Sequence, residues 1–184
     1  MFKNTQSRYG VVSIGLHWLS ALAVLGLFAL GVWMVELPYY SPWYKRAPDI
    51  HKSIGVLLMV VTLCRLLWRW LNPAPKALPE HKRWEKLAAG LMHRLLYLML
   101  LGMLVSGYLI STADGRPIVV FSLIELPSLG LLFEDQADIA GWIHKYLAYG
   151  FIALVVLHAL GAIKHHLLDR DATLKRMLNI KEIQ

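Results

Sequence analysis

The sequence contains one cysteine, Cys64, among 184 residues. One thiol excludes an intramolecular disulfide. Charge is also scarce: Asp, Glu, Lys and Arg together make up 17% of the chain, with 12 acidic residues against 19 basic ones. There is no nucleotide-binding glycine loop on a βα unit, no internal repeat, no low-complexity tract and no flavin-type or second soluble domain. With 57% hydrophobic residues, the chain cannot pack as an ordinary water-soluble domain.

What is present instead are long apolar runs. Crossing a hydrocarbon core of about 30 Å takes roughly 20 apolar residues at 1.5 Å each. Four stretches qualify, over about 11–35, 51–71, 87–110 and 139–167. The first exceeds a signal-peptide core in length and lacks a small-residue cleavage pattern, so it reads as a retained helix. The expected fold is all-α, a transmembrane four-helix bundle forming one membrane-embedded domain over 1–184. The connections agree: "NPAPKALPEHKRWEK" (72–86) is rich in proline and charge, and "STADGRPI" (111–118) carries a turn at Asp114-Gly115. The stretch 117–133, interrupted by Glu125 and Pro127, reads as an interfacial or re-entrant part of a periplasmic cap over about 112–138.

Orientation follows from the basic residues, which are retained on the cytoplasmic side. One side collects Lys3, Arg8, Lys76, Lys82, Arg83, Lys86, Lys164, Arg170, Lys175, Arg176 and Lys181, and Arg65, Arg69 and Arg94 can snorkel to it. The other holds Lys45, Arg46, Lys52, Arg116 and Lys145 set against seven carboxylates: Glu36, Asp49, Asp114, Glu125, Glu134, Asp135 and Asp138. Both termini are therefore expected in the cytoplasm. The net charge of +7 reflects topology and anionic lipid rather than nucleic acid, because no solvated basic face exists to hold it. Trp43, Tyr39, Tyr40, Tyr44 and Trp142 at one boundary, and Trp68, Trp70 and Trp84 at the other, suit aromatic belts.

Within the fourth run, "GWIHKYLAYGFIALVVLHALGAIKHH" (141–166), lie His144 and His158. Their spacing is about 21 Å along a helix and about 40° short of four turns, so they share a face at two depths. A titratable ring at such depth is costly unless it faces the protein interior and is paired or liganded. Partners exist at both depths: His17 lies just inside the first helix from the cytoplasmic side, and His51 near the start of the second from the other. Pairing His17 with His158 and His51 with His144 suits two bis-histidine haems. With no C-x-x-C-H pattern, both would be held without covalent links. Gly55, Gly107, Gly150 and Gly161 on the same helices could admit a porphyrin face.

The chain resembles the bacterial cytochrome b561 family over nearly its whole length, through "SRYGVVSIGLHW" (7–18), "APDIHKSIG" (47–55), "MHRLLY" (92–97), "SGYLISTADGRPI" (106–118), "WIHKYLAY" (142–149), "VVLHALGAIKHH" (155–166) and "DATLKRM" (171–177). The resemblance implies two b haems on those same four histidines, in a multi-pass protein of the bacterial inner membrane. It implies electron transfer linked to the quinone pool, with ubiquinone as acceptor and superoxide or a reduced periplasmic protein as donor, since some members look like superoxide:ubiquinone oxidoreductases. Related cytochrome b subunits anchor dehydrogenases, which is a rival reading. A haem-free metal transporter is another, opposed by the lack of carboxylates beside the intramembrane histidines.

Further residues carry open alternatives. His93, about one turn inside the third helix, competes with His17 and His158 as a ligand; it can also serve a haem propionate or quinone carbonyl, or be an interfacial histidine. Arg65 and Arg94 can pair with propionates or simply snorkel. Lys52 and Arg116, with Lys45, Arg46 and Lys145, can meet propionates or draw in an anion. His165 and His166 read as solvated helix-end residues and His81 as loop surface.

Overall fold

The computed structural model describes residues 1–178; Lys181, counted above with the basic tail, lies outside them, as does the end of the expected 1–184 domain. Four long apolar helices dominate: α1 (Val11–Met34), α2 (Arg46–Leu71), α3 (Arg83–Thr112) and α4 (Gln136–Leu167). A hairpin of β1 (Ile118–Val120) and β2 (Ile124–Leu126) separates α3 from α4, and a single turn of helix, α5 (Thr173–Met177), follows. Three of the four helices start earlier than hydropathy indicates, because polar first turns extend them beyond the apolar run. Arg46–Ile50 opens α2, with Pro48 in the first turn where its missing N–H costs nothing. Arg83–Lys86 opens α3, where Glu85 Oε2 reaches back to accept from the Lys82 amide at 2.9 Å, half of a capping box.

The described chain divides into two compact units. The first comprises residues 1–20, 61–97 and the chain from 153 onward. Here Asn4 ties the N-terminal segment down: its Oδ1 accepts from the Gly10 amide and Ser13 Oγ, both at 2.8 Å, and its Nδ2 donates to the carbonyls of Asn72 and Pro73. Trp68 Nε1 donates to Ser13 Oγ and Trp18 Nε1 to the Met177 carbonyl.

The second unit comprises residues 21–60 and 98–152. Its buried positions include Ser53, Ser106, Thr112 and Gln136, polar side chains that spend their hydrogen bonds inside the protein where lipid offers none. Gln136 Nε2 donates to the Leu109 carbonyl while its Oε1 accepts from the Leu132 amide. Within 117–133, residues 118–126 form a hairpin: Ile118 pairs with Leu126 and Val120 with Ile124. Phe121 and Ser122 both adopt positive φ, 47° and 61°, and the Leu123 amide donates to Val120, the geometry of a primed turn that matches strand twist. The Phe121 amide donates to Ser53 Oγ, which docks the hairpin on α2.

Candidate haem-binding sites

Each unit brings one pair of the intramembrane histidines together. In the second, His51 of α2 faces His144 of α4 with ring centroids 6.3 Å apart and planes at 70°. In the first, His17 of α1 faces His158 of α4 at 6.2 Å and 72°. Two metal–imidazole bonds of about 2 Å, plus about 1 Å from each nitrogen to its ring centre, put the centroids of two axial ligands about 6 Å apart. Both pairs match that spacing. His93 of α3 also touches His158, but at 5.3 Å, about 1 Å short of it.

The surroundings of the His51–His144 pair fit an axial role in three further ways. Ser106 Oγ lies 2.8 Å from the Gly102 carbonyl and 3.0 Å from His144 Nδ1. A hydroxyl has one proton; given to the carbonyl, it leaves a lone pair that accepts from Nδ1–H, so the lone pair of the neutral ring sits on Nε2, the form a metal needs. His51 Nδ1 is buried with no hydrogen-bond partner, a cost of about 1–3 kcal/mol that ligation relieves if the ring binds through that atom. Backbone also approaches both rings: a Cβ on Gly31 would stand 3.3 Å from His51 Cε1, and one on Gly107 3.2 Å from His144 Cε1.

The His17 side differs. Arg65 Nη2 lies 2.8 Å from His17 Nδ1, and since a guanidinium only donates, Nδ1 accepts and the proton of the neutral ring sits on Nε2, so this ring can ligate a metal only once the Arg65 contact opens. The Arg65 guanidinium also stands 5.5 Å from the Tyr97 ring centre, and that of Arg69 5.9 Å from the same ring. Arg94, the other arginine singled out for a propionate, is exposed. Among the basic residues of the second unit, Lys52 is paired with Asp49 at 2.9 Å and Arg116 with Asp114 at 3.3 Å, while Arg46 stacks over Trp43.

Sequence reasoning missed Ser106 and Gly31. A serine in an apolar helix is ordinary packing material, and Gly31 acquires meaning only once α2 lies against it. Of the glycines it did single out, Gly107 abuts an imidazole, Gly150 faces Met99, and Gly55 and Gly161 meet no neighbouring atom within 4 Å of a Cβ position. His81 and His165 are not free surface groups: their side chains are 16% and 17% exposed and both contact Asp171.

A family model described as prokaryotic cytochrome b561 matches residues 8–179. Cytochrome b561 homolog 2 of Escherichia coli (strain K12) is 51% identical over 177 residues, covering 96% of this chain and 94% of that protein. A probable superoxide oxidase, CybB, of Yersinia pestis is 30% identical over 176 residues, covering 93% and 96%. Cytochrome b561 homolog 1 of E. coli is 27% identical over 172 residues, covering 94% and 97%.

Proposed function

This chain belongs to the prokaryotic cytochrome b561 family, and from there we propose that it is a di-haem cytochrome passing electrons across the bacterial inner membrane to the quinone pool. Membership and the four apolar helices make it a multi-pass inner-membrane electron-transfer protein, and the family implies haem b. The observation that carries the finer reading is the near-identity of the two histidine pairs, 6.2 Å and 72° against 6.3 Å and 70°.

In this reading His51 and His144 hold one haem, and His17 and His158 the other. Haem b held between two imidazoles supplies one-electron transfer without an open coordination position for oxygen. The protein's own groups set the conditions. Ser106 orients His144, and Gly31 and Gly107 let backbone approach the rings. Arg65 places a positive charge beside His17, within reach of a propionate, and His93 stands next to His158 where it can donate to a propionate or to a quinone carbonyl. Arg94 is assigned the lesser role of a propionate partner reached from the exposed side of α3.

The charge partition supports an orientation with both termini in the cytoplasm. The described basic residues that the positive-inside rule assigns to that side all fall in the first unit, and the seven carboxylates assigned to the periplasm all fall in the second. The periplasmic donor is then a small oxidisable species such as superoxide, a reading supported by the relative described as a probable superoxide oxidase. Lys52 and Arg116 would help draw in that anion, and ubiquinone would be the acceptor.

Rapid mixing of the purified haem-loaded protein with superoxide tests this. Haem absorbance should show reduction, and added ubiquinone should reverse it. Reduction by a periplasmic redox protein but not by superoxide removes the superoxide reading and leaves the quinone-linked cytochrome. Failure of ubiquinone to reoxidise the haems removes the quinone link.

A further inference from the structure

A second cluster of side chains lies in the first unit, apart from the groups assigned to haem. At the end of α4 the Lys164 carbonyl accepts from the amides of Leu168 and Asp169. Arg170 then takes a φ of 54°, in the left-handed region, and the chain reverses so that the Asp171 amide donates to the His165 carbonyl at 3.0 Å. That turn brings the Asp171 side chain to the His165 ring. His81 arrives from the connection between α2 and α3, with its ring centre 4.6 Å from that of His165.

The donor atoms converge on one point. Asp171 Oδ2 lies 2.8 Å from His81 Nε2 and 3.0 Å from His165 Nδ1, while Oδ1 is taken by the Thr173 amide at 2.7 Å. The Asp171 side chain is 8% exposed. Burial opposes its ionisation, but hydrogen bonds from Thr173 and His81 outweigh burial and hold its pKa at about 2, so it is a carboxylate at neutral pH. His165 Nδ1 is itself buried and, although 2.7 and 3.0 Å from oxygens of Asp169 and Asp171, makes no hydrogen bond of acceptable direction to either. A buried ring nitrogen held against carboxylate oxygens without a directed proton between them is a costly arrangement, and a cation shared among them relieves it.

We propose that His81 Nε2, His165 Nδ1 and Asp171 Oδ2 form a binding site for a divalent cation of the zinc class. The three atoms lie within 4.8 Å of one another, so one ion can reach all of them. Two imidazoles and one carboxylate oxygen suit zinc, with water as a fourth ligand, and disfavour magnesium and calcium, which take oxygen. Glu85, His165 and Asp169 form a neighbouring trio of similar span. There, however, Lys164 Nζ sits 2.9 Å from Glu85 Oε1 and 2.6 Å from Asp169 Oδ2, a fixed cation that repels a second. The charge pattern therefore selects Asp171. The ion would join the connection before α3, the end of α4 and the turn before α5, and it is independent of which donor the haems serve.

The test is zinc titration of the untagged, haem-loaded full chain after chelator treatment, with metal counted by mass spectrometry and coordination read by zinc X-ray absorption. One zinc per chain with two imidazole ligands is expected. Loss of an outer-shell partner already weakens metal sites about 10–100-fold, so His81→Ala and Asp171→Asn should each weaken zinc binding at least about tenfold, with the haem spectrum unchanged. His166→Ala should bind zinc as the natural protein does. Wild-type affinity in both ligand variants, or fewer than two imidazoles on zinc in the natural protein, overturns the proposal. Should a variant lose haem, the absorption spectrum of the natural protein decides alone.

Discussion

Arg65 Nη2 donates to His17 Nδ1 at 2.8 Å, whereas the Nδ1 of His144 rests 3.0 Å from the neutral hydroxyl of Ser106. The two histidine pairs share spacing and angle but differ in the charge beside them. A fixed cation near an iron favours its reduced, less positive form. At an effective dielectric near 20 and several ångströms, the interaction is about 2 kcal/mol, or about 100 mV for one electron. Arg65→Leu should lower the midpoint potential of the His17–His158 haem by tens of millivolts and leave the other in place. A redox titration that finds neither potential moved, or both moved equally, contradicts the assignment of Arg65 to one site.

Two b-type haems per chain with low-spin spectra are expected, and a pyridine haemochrome assay against protein concentration measures this. A value near one would remove one of the two histidine pairs from the reading.

His144→Ala and His51→Ala should delete the same haem, and His158→Ala and His17→Ala the other, because each variant would remove one of the two imidazoles proposed to hold it. His93→Ala should keep both haems, since its ring stands closer to His158 than an axial partner can. Optical spectra of the five purified variants decide the matter; a haem lost with His93 but kept without His17 would exchange their roles.

Gly107→Ala sets two effects against each other. Replacing glycine inside a helix normally stabilises it by about 1 kcal/mol. Here the new Cβ would stand 3.2 Å from His144 Cε1 and 3.6 Å from Nδ1, tight enough to push the ring by tenths of an ångström. We expect the haem of the His51–His144 pair to bind more weakly while thermal stability of the helices holds. Haem content after gel filtration, compared with the melting temperature, separates the two.

If the donor is anionic, its reduction rate should fall as salt rises, because screening acts beyond a Debye length of about 8–10 Å. Arg46→Glu and Arg116→Glu should slow haem reduction without slowing reoxidation by quinone. Since Asp49 and Asp114 partly neutralise Lys52 and Arg116, Asp49→Asn should accelerate reduction. Stopped-flow rates at several ionic strengths test all three, and a salt-independent rate would argue for a neutral donor.

Much of this protein is local information, and the sequence by itself determined it. Hydropathy depends only on which residues are adjacent, so the four membrane-length helices and the distribution of charge between their ends could be read directly. The depths of His17, His51, His144 and His158 follow from a fixed rise per residue. The polar first turns of α2 and α3 escaped because an apolar run says nothing about how far capping carries a helix beyond it. Only tertiary structure shows that His17 and His93 both stand against His158, at 6.2 and 5.3 Å, because the face a helix turns toward its neighbour is not a local property of the chain. The same holds for Ser106 beside His144, and for the hairpin of 118–126, whose pairing depends on a turn with two residues at positive φ. The meeting of His81, His165 and Asp171 joins positions 90 residues apart through one left-handed residue, Arg170, and no pattern along the chain encodes that reversal.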